Sequence, residues 1–302
     1  MEKGLGFSTS LLLLFTYTIW GGNTVAMKFA LAGMTPLFLA GFRIGLTIGV
    51  FYLWNASFSI PLKSRGRELG LLLLNGALFA LNNGILVIGV NMSYASRATV
   101  LINAYPFFVA GFAHFFLPGD RLNLRKFIGL CFAFAGIAAV FMDREIIQRR
   151  LVLGDILILV SVLILAARMI LVKKLVLTLE PSKLLFWASI TSVPVFFLAS
   201  LFIEGLPRPD LTPWVLFSVF YMGLIVSGFC YFVQTALFKY HHPSIIVSFA
   251  FITPISGVAL SAWILNEPVT HGLLAGAVLV GLGLFLINYW GSPRRVAIQH
   301  ES

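Results

Sequence analysis

Charge is what this 302-residue chain has least of. Asp, Glu, Lys and Arg together make up 11% of it, against roughly 25% in soluble domains. With 59% hydrophobic residues and a mean hydropathy of +0.97, the water-soluble globule is excluded. Only 11 residues are acidic, and on the spans placed below none falls in the middle of a helix. Asp155, two residues into the sixth span, comes closest, and His114 has no carboxylate in its own helix. A proton-driven carrier usually holds an ionisable relay within the membrane, so facilitated diffusion or exchange is predicted. Cysteine is nearly absent, and Cys131 and Cys230 lie in apolar runs without disulfide or ligand spacing. His241-His242-Pro243 has no third ligand nearby, so neither a metal nor a cofactor is expected. HExxH, paired intramembrane aspartates and a G-x-S-x-G turn are also missing, which argues against an intramembrane enzyme and leaves no catalytic candidate.

What is present is apolar length. A spanning helix needs about 20 mostly apolar residues, which places ten spans at 8–30, 36–54, 69–91, 97–117, 124–142, 153–172, 183–203, 213–237, 244–265 and 271–290. Lys3 ahead of a short apolar run resembles a signal peptide, but Trp20-Gly21-Gly22-Asn23 is no cleavage site and the apolar pattern runs on to Ala32. A first span is the reading there. The net charge of +10 sits in short loops, a sign of membrane orientation and not of nucleic-acid binding. With the N-terminus inside, 13 lysines and arginines fall on the inner side and 6 on the outer, Arg97 among the outer ones, while Arg43 and Arg168 lie within spans. Both termini are therefore expected in the cytoplasm, in a multi-pass inner-membrane protein.

Two stretches read as copies of one another. Pro106, Asp120, Gly129 and Gly136 correspond to Pro254, Glu267, Gly276 and Gly283. Acid to first glycine is nine residues in both copies, glycine to glycine is seven in both, and proline to acid is fourteen in one and thirteen in the other. Five spans per copy is an odd number, so the second half (149–302) must sit upside down relative to the first (1–148). Matching proline interruptions in inverted halves point to the substrate site of an alternating-access carrier. The expected fold is an all-α polytopic membrane protein with ten transmembrane helices in two inverted five-helix repeats.

These residues also carry a resemblance. Trp20-Gly21-Gly22-Asn23, Arg43 and the two Pro-to-acid-to-Gly stretches resemble the drug/metabolite transporter superfamily, in its EamA-type branch of ten-span exporters. The resemblance covers nearly the whole chain. It implies a central cavity lined mainly by the first, third and fourth helices of each half, and export of small metabolites such as amino acids. Import, exchange, or a nucleoside, vitamin or nucleotide-sugar substrate are the alternatives. A small molecule and the bilayer are the expected partners. A monomer suffices for a complete cavity, and a dimer is left open.

Several intramembrane polar residues are candidates for the site. Trp20 and Asn23 in span one, Asn82 in span three, Asn103 and Tyr105 in span four, Tyr231 and Gln234 in span eight, and Thr253 in span nine must each find a partner or a water-filled cavity. Cavity lining and helix-to-helix bonding both fit this list. Pro106 and Pro254 deprive the carbonyls of Ile102 and Ala250 of their helical donors. Those carbonyls either face a substrate or are satisfied by Asn103 and Thr253, leaving only a hinge. Gly21 and Gly22 permit close backbone approach. Arg168 is placed to meet a carboxylate or to snorkel, and Arg43 to anchor helices. Asp120 and Glu267, each in a turn before a helix, are read as caps of that helix.

Overall fold

The computed structural model describes residues 6–117, 124–141 and 149–290, and among them every regular element is a helix. Seven helical runs are long and apolar enough to cross a membrane: Pro36–Ser57, Gly66–Met92, Ala95–Phe116, Arg149–Leu175, Pro181–Glu204, Pro213–Tyr240 and Ile245–Leu265. Two shorter apolar helices, Phe127–Val140 and His271–Gly283, lie beside them. Large apolar side chains stand outward, Phe202 at 83% exposure and Trp263 at 80%. On a soluble monomer so much exposed apolar surface is an aggregation hazard; in a bilayer it is the solvated face.

Several predicted spans are broken helices. The first is two, α1 (Phe7–Gly21) and α2 (Asn23–Leu31), meeting at Gly22. The fourth is α5 (Ala95–Ile102) and α6 (Tyr105–Phe116), parted at Asn103 and Ala104. The ninth is α12 (Pro243–Ser248), a 3₁₀ turn at Phe249–Phe251, and α13 (Ile252–Leu265). Pro106 and Pro254 therefore stand near the start of a following helix, where a missing N–H costs least. Between them run α3 (Pro36–Ser57), α4 (Gly66–Met92), α7 (Leu124–Phe141), α8 (Arg149–Leu175) and α9 (Pro181–Ala199). In the eighth, α10 (Pro213–Phe220) passes through a π-helical stretch, Tyr221–Cys230, into α11 (Tyr231–Tyr240), and α14 (His271–Trp290) closes the described chain.

The repeated glycines bind the copies together. A Cβ built on Gly136 of α7 would stand 2.9 Å from the Gly276 carbonyl oxygen of α14, and one on Gly276 3.0 Å from that of Gly136. One on Gly283 would stand 2.7 Å from the Gly129 carbonyl oxygen. Only glycine lets these backbones come so near.

Polar ties join the two sequence halves at both ends of the bundle. At one end the Arg97 guanidinium donates to the Asp155 carboxylate, through Nε at 3.0 Å and NH2 at 2.5 Å, and Ser93 Oγ donates to the same carboxylate. Arg97 is thus a buried member of α5 and not an outer-loop charge. Glu204 accepts from the free amides of Leu37 and Phe38 at the start of α3. At the opposite end Lys183 pairs with Glu68 at 2.7 Å, and Trp187 Nε1 donates to the Leu62 carbonyl.

Glu267 caps, but not the helix that follows it. Its carboxylate accepts from the amides of Ala95 and Ser96 at 2.8 and 2.9 Å and from Ser96 Oγ. The expected cap of α14 is corrected to a cap of α5, because the first-turn amides of α5 are the ones folded against it. Asp120 lies outside the described residues.

Candidate functional site

The breaks converge on one cavity of about 60 Å³, lined by Tyr17, Trp20, Asn23, Thr24, Asn82, Leu86, Thr99, Ile102, Asn103, Tyr105, Leu165, Met169, Tyr231, Gln234 and Thr253. These come from α1 and α2, α4, α5 with the break after it and the start of α6, α8, α11 and α13. They are the first, third and fourth segments of each sequence half. Eight of the nine substrate candidates singled out in the sequence meet here. The exception is Arg168, which donates through Nε to Asn75 Oδ1 at 3.0 Å and lies 4.5 Å from the Phe79 ring centroid. It does not snorkel: α8 runs on to Leu175, which leaves the guanidinium two turns from the helix end and 7% exposed.

Hydrogen bonds hold most of the polar wall. Gln234 Nε2 donates to the Tyr17 hydroxyl at 2.9 Å, and the Tyr105 hydroxyl donates to Tyr17 at 3.3 Å. Asn82 donates to the Ser161 carbonyl at 2.7 Å. Trp20 stacks on Tyr17 with centroids 5.7 Å apart and tilts against Tyr231 at 5.1 Å. The two polar residues beside the prolines do not satisfy the carbonyls assigned to them: Asn103 Nδ2 turns back to the Thr99 carbonyl, and Thr253 Oγ1 crosses to the Tyr17 carbonyl. Asn23 is different. It is 7% exposed, and its Oδ1 has no hydrogen-bond partner among the described residues. A buried acceptor left open costs free energy, and the residue that carries it lines the cavity.

Gly21 and Gly22 serve the packing around that wall. A side chain at Gly21 would run into Ser256 and the Gly257 backbone, so α1 and α13 touch through it. At Gly22 the nearest group is the Tyr221 hydroxyl, which donates to the Ile19 carbonyl. Arg43 is 1% exposed and donates to Asn83 Oδ1 at 2.7 Å, tying α3 to α4.

Tyr17, Thr24 and Thr99 were not read from the sequence. Their signal was helical spacing, since Tyr17 and Thr24 flank Trp20 by three and four residues and Thr99 precedes Asn103 by four. Leu86, Ile102, Leu165 and Met169 carry no such signal, because an apolar lining residue looks like any other in a span.

A polar, aromatic chamber with no charged lining residue among the described residues, enclosed by broken helices in an apolar bundle, defines a class: an integral multi-pass membrane protein that handles small molecules. The chain belongs to the EamA-like transporter family, which matches residues 7–142 and again 152–289. A "Probable amino-acid metabolite efflux pump" of Escherichia coli (strain K12) is 28% identical over 300 residues, covering 95% of this chain and 97% of that one. An "Uncharacterized transporter YoaV" of Bacillus subtilis (strain 168) is 24% identical over 285 residues, covering 92% and 96%. A solved chain described as "Crystal structure of protein" shares the fold, with a TM-score of 0.70 at 13% identity over 94% of this chain and 98% of that one. The protein is a small-molecule membrane transporter, and the family and its relatives' names point away from an enzyme.

Proposed function

We propose that the protein exports small metabolites, amino acids or related compounds, by alternating access in the inner membrane. The observation that carries this is the cavity itself, built at the depth of the helix breaks from both sequence halves, with an open acceptor at Asn23. Ten spans in two inverted halves, 1–148 and 149–302, with both termini cytoplasmic, is the topology we infer. The glycine contacts support it: exchanging the copies turns the Gly136–Gly276 contact into Gly283–Gly129, and both are present. Such reciprocity is the mark of a two-fold relation. The name of the Escherichia coli relative supports efflux of amino-acid metabolites.

At about 60 Å³ the cavity is far below the ~300 Å³ of a small-ligand site. We therefore read the structure as a contracted state that widens when either end parts. A monomer holds all the lining residues, and a small molecule and the bilayer are its partners.

The test is counterflow into proteoliposomes preloaded with single metabolites. Saturable exchange of at least one compound, reduced about tenfold or more by Asn23→Ala with Gln234→Ala, is expected. No exchange of any compound in a broad panel would contradict transport.

A further inference from the structure

Among the described residues, two buried cations lie without a counter-ion. Arg43 and Arg168 are 1% and 7% exposed, and each is bonded to a neutral amide of α4, Asn83 and Asn75 respectively. The ion pairs among the described residues, Arg97–Asp155, Lys183–Glu68 and Lys239–Glu180, include neither of them. The Arg43 Nε has no hydrogen-bond partner at all among those residues. An unpaired charge at such depth is costly and rare without a use.

Both guanidinium groups stand one residue behind the cavity wall. Arg43 reaches it through Asn83, whose Nδ2 contacts the lining residue Asn82 at 3.4 Å. Arg168 reaches it through Phe79, whose ring meets the lining residue Tyr231 edge-on at 5.9 Å. Tyr231 also packs against the lining residue Trp20, so it stands between the Phe79 ring and the chamber. Eight residues of α4 separate Asn75 from Asn83, about 12 Å along the axis, so the two charges are held at two depths along the helix that lends Asn82 and Leu86 to the chamber. In a low-dielectric interior their field reaches it weakly screened.

We propose that Arg43 and Arg168 select solutes carrying a carboxylate over amides and amines of the same shape. The anionic group approaches Tyr231 as the chamber widens and supplies the charge that the two arginines lack. This rests on the transporter reading and names the substrate class of the same cavity.

The test uses the full-length protein and matched sets of probes: L-phenylalanine, L-phenylalaninamide, phenethylamine and 3-phenylpropionate, and the corresponding leucine series. Binding is followed by thermal shift and transport by counterflow competition. Carboxylate-bearing members are expected to bind about tenfold or more tightly than their carboxylate-free partners. Arg43→Gln with Arg168→Gln should erase that preference, while Arg43→Lys with Arg168→Lys should keep most of it. Should the glutamine variants fail to fold, Asn83→Asp with Asn75→Asp neutralises each guanidinium in place and carries the same expectation. A purely structural role for the arginines would alter stability but leave the preference intact. Equal binding of acids and amides, a preference that survives neutralisation, or binding of carboxylate-free probes alone would overturn the proposal while leaving transport standing. Failure of every probe to bind or exchange, together with exchange of no amino acid in the broad panel, would instead remove the amino-acid export reading, and this proposal with it.

Discussion

Arg97 and Asp155 form a buried ion pair across 58 residues of sequence, with Nε donating at 3.0 Å. Asp155 is fully buried, and Ser93 donates to its other oxygen. Removing one member of such a pair strands the other, at a cost of about 3–5 kcal/mol. Asp155→Asn and Arg97→Met should each lower the thermal unfolding temperature clearly, and the double replacement Arg97→Met with Asp155→Leu should recover part of the loss. Additive losses measured by thermal unfolding would mean that the two residues act separately.

The same pair bears on energy coupling. Among the described residues Asp155 is the acid that intrudes furthest into a span, and its carboxylate already has three donors. Net flux from loaded proteoliposomes should therefore be indifferent to an imposed pH gradient, with a substrate whose own ionisation is constant. A several-fold, uncoupler-sensitive change would refute this, and Asp155→Asn would be the next variant to measure.

Pro106→Ala and Pro254→Ala should reduce transport while leaving the protein inserted. Each restores an amide donor near a break that borders the cavity, which favours one continuous helix across Asn103 and Ala104 or across the 3₁₀ turn at Phe249–Phe251. Uptake assays on the double variant decide the matter, and near-normal rates would make the breaks independent of the prolines.

A bulky residue at the glycine crossing should separate the copies. Gly136→Leu would press on the Gly276 carbonyl and on Val280, and overpacking of this kind costs about 1–3 kcal/mol. Thermal unfolding should show a loss of that order, and unchanged stability would mean that α7 and α14 can move apart without cost.

Much of the site was legible because the bilayer makes polarity conspicuous. Asn23, Asn82, Asn103 and Gln234 stand out in apolar runs, and the structure draws all four to one chamber. The fold's ties were less legible. Nothing local distinguishes Arg97 from a loop charge, since its burial depends on where Asp155 of a distant helix arrives. Glu267 announced a cap by its chemistry, yet its helix, α5, is decided by tertiary packing. The π-helical stretch Tyr221–Cys230 has the composition of an ordinary span. Arg168 showed its charge but not its direction, toward Asn75 and Phe79 behind the wall.

The most direct test of the account is the two-sided accessibility of Asn23, the open acceptor in the chamber. With Cys131 and Cys230 replaced by serine, Asn23→Cys would be exposed to a membrane-impermeant thiol reagent in vesicles of each orientation. Ser64→Cys and Pro207→Cys serve as the reference positions for opposite faces. Alternating access predicts that the Asn23→Cys thiol is modified from both faces and that a transported solute slows both reactions. Modification from one face only, indifferent to every solute that exchanges, would contradict it.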